Sequence, residues 1–465
     1  MKFKQFLKNF SYAFSSNLIS LLISAVIVFI VPKIISVQQY GYFQLYLFYT
    51  SYVGILHFGW FDGIYLCYGG LEYDKLDKQK FNSQFVMSFM LEVVIALIIW
   101  IIGVFQGNPD SRFIIEMCAA AIIIMNMQQI LLYILQGTNR IREYVLVTII
   151  NRFVYLGGIL LCLVFQWADY RYFVYSDLLG RMVTFGLAIY FCKEIVFTKF
   201  NGFDFPEMKE NINVGYKLVF ANFTSMLIIG IVRYGVQFRW GVKAFGKLSL
   251  TMNISNLMML FVTAISVVLF PVLRRITAEK YNLIYRHMRT VLMVTLFSGL
   301  LIYYPVATIL SLWLPKYSQS LVYMGLLFPI CIFDGKFELL VNTFMKTLRL
   351  EKMLLKINVI AVLVSILLTI FNVFVLRSFS FVMISIVLIL GVRSTIGEYY
   401  LQSKLQIDLR LRMVEEWVMT GLFMIISWWL PFPINMGVYA VVLVGYLLLN
   451  YRDIKGSIFY IKGMV

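Results

Sequence analysis

The sequence predicts an all-α integral membrane fold of about fourteen transmembrane helices, arranged as two six-helix lobes and a terminal pair. Three observations carry that prediction. Of 465 residues, 61% are hydrophobic and 14% charged, against roughly 45–50% and 25% in a soluble domain. Apolar runs of about 20 residues, the length that crosses a hydrocarbon core, recur along the whole chain. The basic residues gather in the short connectors between those runs, as a positive-inside bias requires.

Taken in order, the first six runs lie near residues 10–32, 42–66, 83–105, 113–136, 144–166 and 172–195. A more polar stretch, Lys199 to Asn213, then interrupts the pattern with Asp204, Pro206, Glu207 and Glu210. Six more runs follow near 215–237, 247–272, 288–313, 319–345, 356–377 and 380–402. Beyond a charged connector, Lys404 to Glu416, come the last two, near 417–431 and 434–450. The predicted divisions are therefore residues 1–199, 200–403 and 404–465. The basic segment Met1 to Phe10 runs into an apolar span with no small-residue cleavage site, which reads as a first helix and not as a removed signal.

Placing both termini in the cytoplasm puts 27 of the 40 Lys and Arg residues in inside segments and eight in outside ones. That asymmetry sets the expected orientation. One outer loop, Arg239 to Lys247, runs against it. The outer loops are too short to hold a folded domain, which argues against membrane enzymes whose active site sits in a large outer loop.

The formal charge of +17 raises nucleic acid as a partner, but basic residues confined to connectors point to orientation in a bilayer. Five scattered cysteines, Cys67, Cys118, Cys162, Cys192 and Cys331, have no metal-ligand spacing and read as small buried side chains. No GxxxxGK[ST] loop is present for nucleotide binding. With two histidines, His57 and His287, there is little room for a nucleophile–base pair, and neither histidine is assigned a role. No catalytic residue, metal site or cofactor is expected.

An internal repeat supports the two-lobe layout. Displacing the chain by 205 residues sets Asn17-Leu-Ile-Ser20 on Asn222-Phe-Thr-Ser225, Val37-Gln-Gln-Tyr40-Gly41 on Val242-Lys-Ala-Phe245-Gly246, and Leu45 on Leu250. Two six-helix units of equal orientation imply a pseudo-two-fold axis along the membrane normal, with a substrate cavity between them.

The stretch Ser36-Val-Gln-Gln-Tyr-Gly-Tyr-Phe-Gln-Leu-Tyr46, continuing through Tyr52-Val-Gly-Ile-Leu-His-Phe-Gly59 to Asp62-Gly63-Ile-Tyr-Leu-Cys-Tyr-Gly69-Gly70, resembles the polysaccharide flippases that move lipid-linked O-antigen and capsule repeat units. That family belongs to the multidrug/oligosaccharidyl-lipid/polysaccharide exporter superfamily. A tyrosine-glycine turn followed by a span ending in Gly-x-x-Asp-Gly carries the likeness; length and helix layout extend it over the chain. The resemblance implies a V-shaped cavity between two lobes and a polyprenyl-pyrophosphate-linked glycan moved from the cytoplasmic to the outer leaflet. It also implies a bacterial inner (plasma) membrane setting, coupling to a proton or sodium gradient or to membrane potential, and other polysaccharide-assembly proteins as partners of a monomer. A cation-coupled multidrug exporter of the same superfamily is the alternative, and a membrane polysaccharide polymerase the third reading.

Charged residues inside spans cost about 2.5–3.5 kcal/mol each at mid-bilayer, so they need a wet cavity or a partner. They include Glu92, Arg152, Asp177, Arg181, Arg233, Asp334, Lys336, Glu338 and Arg393. Arg152, Arg181, Arg233, Lys336 and Arg393 lie on five different spans and are the candidate ligands of a pyrophosphate, since guanidinium forks grip phosphate oxygens. Glu92, near mid-span, is the candidate coupling carboxylate, and Asp62 the candidate gate. The competing reading is structural: Asp177 and Arg181, four apart, can pair on one helix face, Arg233 can snorkel, and Glu92 can be a buried, hydrogen-bonded acid. Gly59, Gly63, Gly69 and Gly70 are read as packing or turn positions, and Pro32, Pro271, Pro305 and Pro329 as kinks or ends.

Overall fold

Helices start where short polar side chains catch free backbone N–H groups. In a computed structural model, which describes residues 3–257, 259 and 281–462, Ser36 opens the second helix by accepting from the Gln39 N–H. Asp77 does the same for Gln79 and Lys80, Asn108 for Asp110 and Ser111, and Asp169 for Arg171. Such caps satisfy donors that the first helical turn leaves open. No strand occurs among the described residues.

The chain divides into two compact units, residues 1–223 and 224–465. The first contains α1 (Phe3–Ile34), α2 (Val37–Ser51), α3 (Trp60–Tyr68), α4 (Lys78–Val104), α5 (Pro109–Gly137), α6 (Ile141–Val164) and α7 (Tyr170–Phe191). The long α8 (Phe205–Leu257) begins in the first unit and ends in the second. The second unit continues with α9 (Tyr281–Gly299), α10 (Tyr303–Trp313), α11 (Ser318–Leu327), α12 (Ile330–Lys336), α13 (Glu351–Phe371), α14 (Phe379–Leu405), α15 (Arg410–Trp429), α16 (Ile434–Leu449) and α17 (Tyr451–Lys462).

Seven helices among the described residues are long and apolar enough to cross a membrane, eight if the bent pair α16–α17 counts as one span. Of the expected spans that fall short of this test, 172–195 and 417–431 lie on single unbroken helices, α7 and α15, while others are broken. The run 42–66 is split into α2 and α3 by a 3-10 turn at Val53–Ile55 and a left-handed Gly59. The run 319–345 divides into α11, α12 and a π-helical turn, Phe337–Asn342. Hydropathy counts apolar side chains and is blind to such backbone breaks. The expected outer loop Arg239–Lys247 is helical instead, folded into α8 around Gly241 at φ 76° and ψ −175°. The far end of the run 247–272 and Pro271 lie outside the described residues. Pro329 separates α11 from α12, and Pro32 sits in the last turn of α1.

The backbone echoes the repeat. Ser36, where α1 gives way to α2, and Gly241, where α8 breaks, stand 205 residues apart. Helices α4–α7 begin at Lys78, Pro109, Ile141 and Tyr170, and α9, α11, α13 and α14 begin at Tyr281, Ser318, Glu351 and Phe379, each close to the same offset.

Packing follows the small residues. In the first unit, a Cβ on Gly63 would collide with the Asn211 backbone, and one on Gly215 with the Gly59 carbonyl, so α3 and the start of α8 meet backbone to backbone. Gly69 and Gly70 form a turn, where the Gly70 N–H bonds the Gly137 carbonyl at 2.8 Å. Conversely, α4 exposes Val94, Leu97, Ile98, Trp100, Ile101 and Ile102. A stripe of that size is stable only against an apolar solvent.

Candidate functional site

Two glycines assemble the polar centre of the first unit. Gly158 on α6 faces Ser176 on α7, and Gly180 on α7 faces the Asn151 carbonyl on α6, with no room for a side chain at Gly158. The two helices are thereby pressed together, which brings Arg152 of α6 beside Arg181 and Asp177 of α7. The Asp177 carboxylate accepts from Arg181 Nε at 2.8 Å and from the Tyr46 hydroxyl of α2 at 2.9 Å. Tyr155, fully enclosed, borders all three charges. Arg181 thus has the carboxylate partner that its i,i+4 spacing allows. Arg152, half-buried, makes no hydrogen bond or ion pair among the described residues. Two guanidinium groups stand against one carboxylate, which only Arg181 bonds, and the constellation carries a net positive charge.

Glu92 lies on α4, wholly buried. One turn away Ala96 packs with Val53, Ala119 and Ile122. Neither carboxyl oxygen has a hydrogen-bond partner among the described residues; Asn126 is the nearby polar side chain, and its amide is turned to the Val53 carbonyl at 3.3 Å. An ionised carboxylate in such a place is costly unless something completes it. A proton or a small cation would.

Asp62 sits in the first turn of α3, buried. The Tyr133 hydroxyl of α5 donates to it at 3.4 Å, and His57 Nε2 stands 3.7 Å away. His57 Nδ1 accepts the Gly59 N–H at 3.2 Å, so in the neutral ring the proton is on the nitrogen that faces Asp62. The ring also stacks on Phe61 at 4.3 Å. A histidine with no partner in sequence therefore belongs to a buried His–Asp–Tyr group. The only sequence signal was the spacing of five from His57 to Asp62 across a glycine.

The second unit treats its cations differently. Lys336 is fully buried and donates to Glu398 at 2.6 Å and to Glu416 at 2.5 Å. Arg289 pairs with Glu398 at 2.6 Å and also with Glu416, and the Tyr285 hydroxyl completes the group at 3.1 Å from Glu398. Two bases and two acids from α9, α12, α14 and α15 form a closed, neutral network. Read as a cargo ligand, Lys336 would have to leave two carboxylates, and the geometry gives it a structural place instead. Sequence reading passed over Glu398, Glu416 and Arg289: the first lay unremarked inside a span, and the others were assigned to connectors.

Arg393 of α14 is also enclosed. Its fork donates to Asn358 at 3.0 Å, Ser225 at 3.0 Å and Asp334 at 3.4 Å, with Glu338 at 3.6 Å, and it lies 3.7 Å over the Phe337 ring. The neighbouring acids outnumber it. Arg233 of α8 bonds Ser249 at 3.1 Å and faces the Phe245 ring. The five candidate bases therefore fall into separate settings, and the pair with spare positive charge is Arg152 with Arg181. No cluster of three or more metal-ligating side chains occurs among the described residues.

The family model for polysaccharide biosynthesis proteins matches residues 6–277. This chain belongs to that family. The match takes in α2 and α3, with the Tyr40-Gly41 and Gly59-to-Gly63 features, as well as Glu92, Arg152 and Arg181. Comparison with curated proteins gave no match. Among solved structures, the family member is similar to the lipid II flippase MurJ in an inward closed conformation, with a TM-score of 0.67 at 13% identity, covering 96% of this chain and 99% of that one. It is also similar to an inward-facing multidrug resistance MATE transporter of the MOP superfamily, with a TM-score of 0.66 at 13% identity, covering 84% and 98%. At such identities the likeness is one of fold. This polysaccharide biosynthesis protein is a multi-pass membrane protein with that transporter fold.

Proposed function

We propose that this protein is a flippase that carries polyprenyl-pyrophosphate-linked oligosaccharide repeat units from the cytoplasmic to the outer leaflet of a bacterial inner membrane, by alternating access, for cell-surface polysaccharide assembly. The observation that carries the proposal is the Arg152–Arg181 pair: inside a membrane-embedded unit, two guanidinium groups face a single carboxylate. Uncompensated positive charge in hydrocarbon is unfavourable, and a pyrophosphate head group supplies the missing anion through bidentate contacts. The basic connectors support a cytoplasmic position for both termini. The protein acts as a carrier and not as an enzyme, with residues 1–199, 200–403 and 404–465 as its lobes and appended pair.

Glu92 and the His57–Asp62–Tyr133 group are the sites at which a proton or sodium ion would couple to transport. In this reading Arg393, Arg233 and Lys336 hold the second unit together. A cation-coupled exporter of drugs remains the competing reading, and Glu92 serves both. A cationic drug would be repelled by Arg152, which favours the anionic lipid. The test is a strain lacking this protein, complemented with wild type or Arg152→Ala. The flippase reading expects lipid-linked glycan to accumulate on the cytoplasmic leaflet in the deletion and the variant. Normal surface polysaccharide in the deletion strain sinks it.

A further inference from the structure

Helix α17 departs from the membrane-crossing direction. It follows α16, an apolar helix, after a bend of 70°. At 1.5 Å per residue its twelve residues measure about 18 Å, of which about 6 Å lies along the α16 axis. With α16 taken as the span that the sequence predicts at 434–450, a helix so inclined to it runs close to the membrane plane. Its sequence, YRDIKGSIFYIK, is far less apolar than that of α16 and mixes aromatic, aliphatic and basic residues, the composition of an interfacial helix.

One face is docked on the protein. Ser457 is buried and bonds His287 Nδ1 of α9 at 2.9 Å. The His287 ring stacks on Tyr460 at 4.5 Å, and Asp453 pairs with Arg412 of α15. The opposite face has no protein neighbour among the described residues. Tyr451, Ile458 and Phe459 are exposed, Phe459 at 82%, and Arg452 and Lys455 stand exposed between them. Neither base has an ion-pair partner among the described residues, whereas the one acid of the helix, Asp453, is engaged with Arg412.

We propose that α17 lies in the membrane–water boundary and recruits anionic lipid head groups through Arg452 and Lys455, with Tyr451, Ile458 and Phe459 entering the outer edge of the acyl region. Charge complementarity selects the occupant: the free charge on this face is positive, and the leaflet faced by the basic connectors is where anionic lipid attracts juxtamembrane bases. The aromatic and aliphatic residues need an apolar medium alongside, which a soluble anion would not supply. The proposal is independent of the cargo.

The test uses the full-length Phe459→Trp variant in nanodiscs of zwitterionic lipid doped with either brominated phosphatidylglycerol or brominated phosphatidylcholine, with bromines at a shallow acyl position. The same measurement on the unsubstituted protein subtracts its eight tryptophans. The introduced indole should be quenched by both, and roughly 25-fold more efficiently by the anionic lipid at equal doping. Adding Arg452→Gln and Lys455→Gln should bring the two efficiencies together, at about fivefold for each base removed. Absence of quenching places the helix in water or against a protein partner and overturns the proposal. Equal quenching by both lipids in the Phe459→Trp variant, or a preference that survives loss of both bases, overturns the role given to Arg452 and Lys455.

Discussion

Lys336 and Glu398 meet at 2.6 Å in a space where neither side chain has any exposure. Their pairing belongs to a neutral four-charge network, and the balance explains how it is tolerated. Removing one member strands an opposite charge at a cost of about 3–5 kcal/mol, whereas removing a matched pair costs far less. Lys336→Met should therefore lower the melting temperature in detergent sharply, and the double variant Lys336→Met/Glu416→Gln should recover most of it. A double-mutant cycle with purely additive losses would exclude the coupling.

Arg393 and Arg152 should separate under the same substitution. Arg393 is surrounded by Asn358, Ser225, Asp334 and Glu338, and alanine there leaves buried acids without their base. Membrane levels of Arg393→Ala should fall, with a loss of roughly 3 kcal/mol in stability. Arg152→Ala removes an unpartnered charge, so the protein should remain in the membrane at wild-type amounts while surface polysaccharide is lost. Equal effects of the two on protein level would contradict the division drawn between them.

How far the sequence reached can be judged from these same residues. Apolar runs located the helices because a spanning helix is a one-dimensional quantity, about 20 residues long wherever it occurs. The Asp177–Arg181 pair was legible for the same reason, since i,i+4 neighbours share a helix face. Lys336, Glu398 and Glu416 were not, because they meet across separations of 62 and 80 residues and only packing of four helices brings them together. His57 was set aside as isolated, although a left-handed Gly59 turns the chain so that it faces Asp62. Charge type was readable from the sequence; charge balance required coordinates.

Glu92 gives a prediction that distinguishes function from structure. Its carboxyl has no hydrogen-bond partner among the described residues, so the near-isosteric Glu92→Gln should leave the stability within about 1 kcal/mol of wild type. Transport of lipid-linked glycan in vesicles should then lose its dependence on an imposed proton or sodium gradient. A gradient dependence identical to wild type would remove Glu92 from the coupling site.

The backbone contact between α3 and the start of α8 supplies the last test. A methyl group at Gly63 has nowhere to go, because the atoms it would meet belong to the Asn211 main chain and not to a flexible side chain. Relief requires the helices to part, and overpacking of this kind costs about 1–3 kcal/mol. At Gly54, in the same broken span, an added Cβ meets nothing within 4 Å. Gly63→Ala should thus reduce both folded yield and melting temperature, while Gly54→Ala leaves them unchanged. The comparison isolates the contact from any general intolerance of substitution in this segment, since both glycines have ordinary φ angles and neither changes charge. If both variants, or neither, lose stability, the close crossing of α3 and α8 is not what these glycines provide.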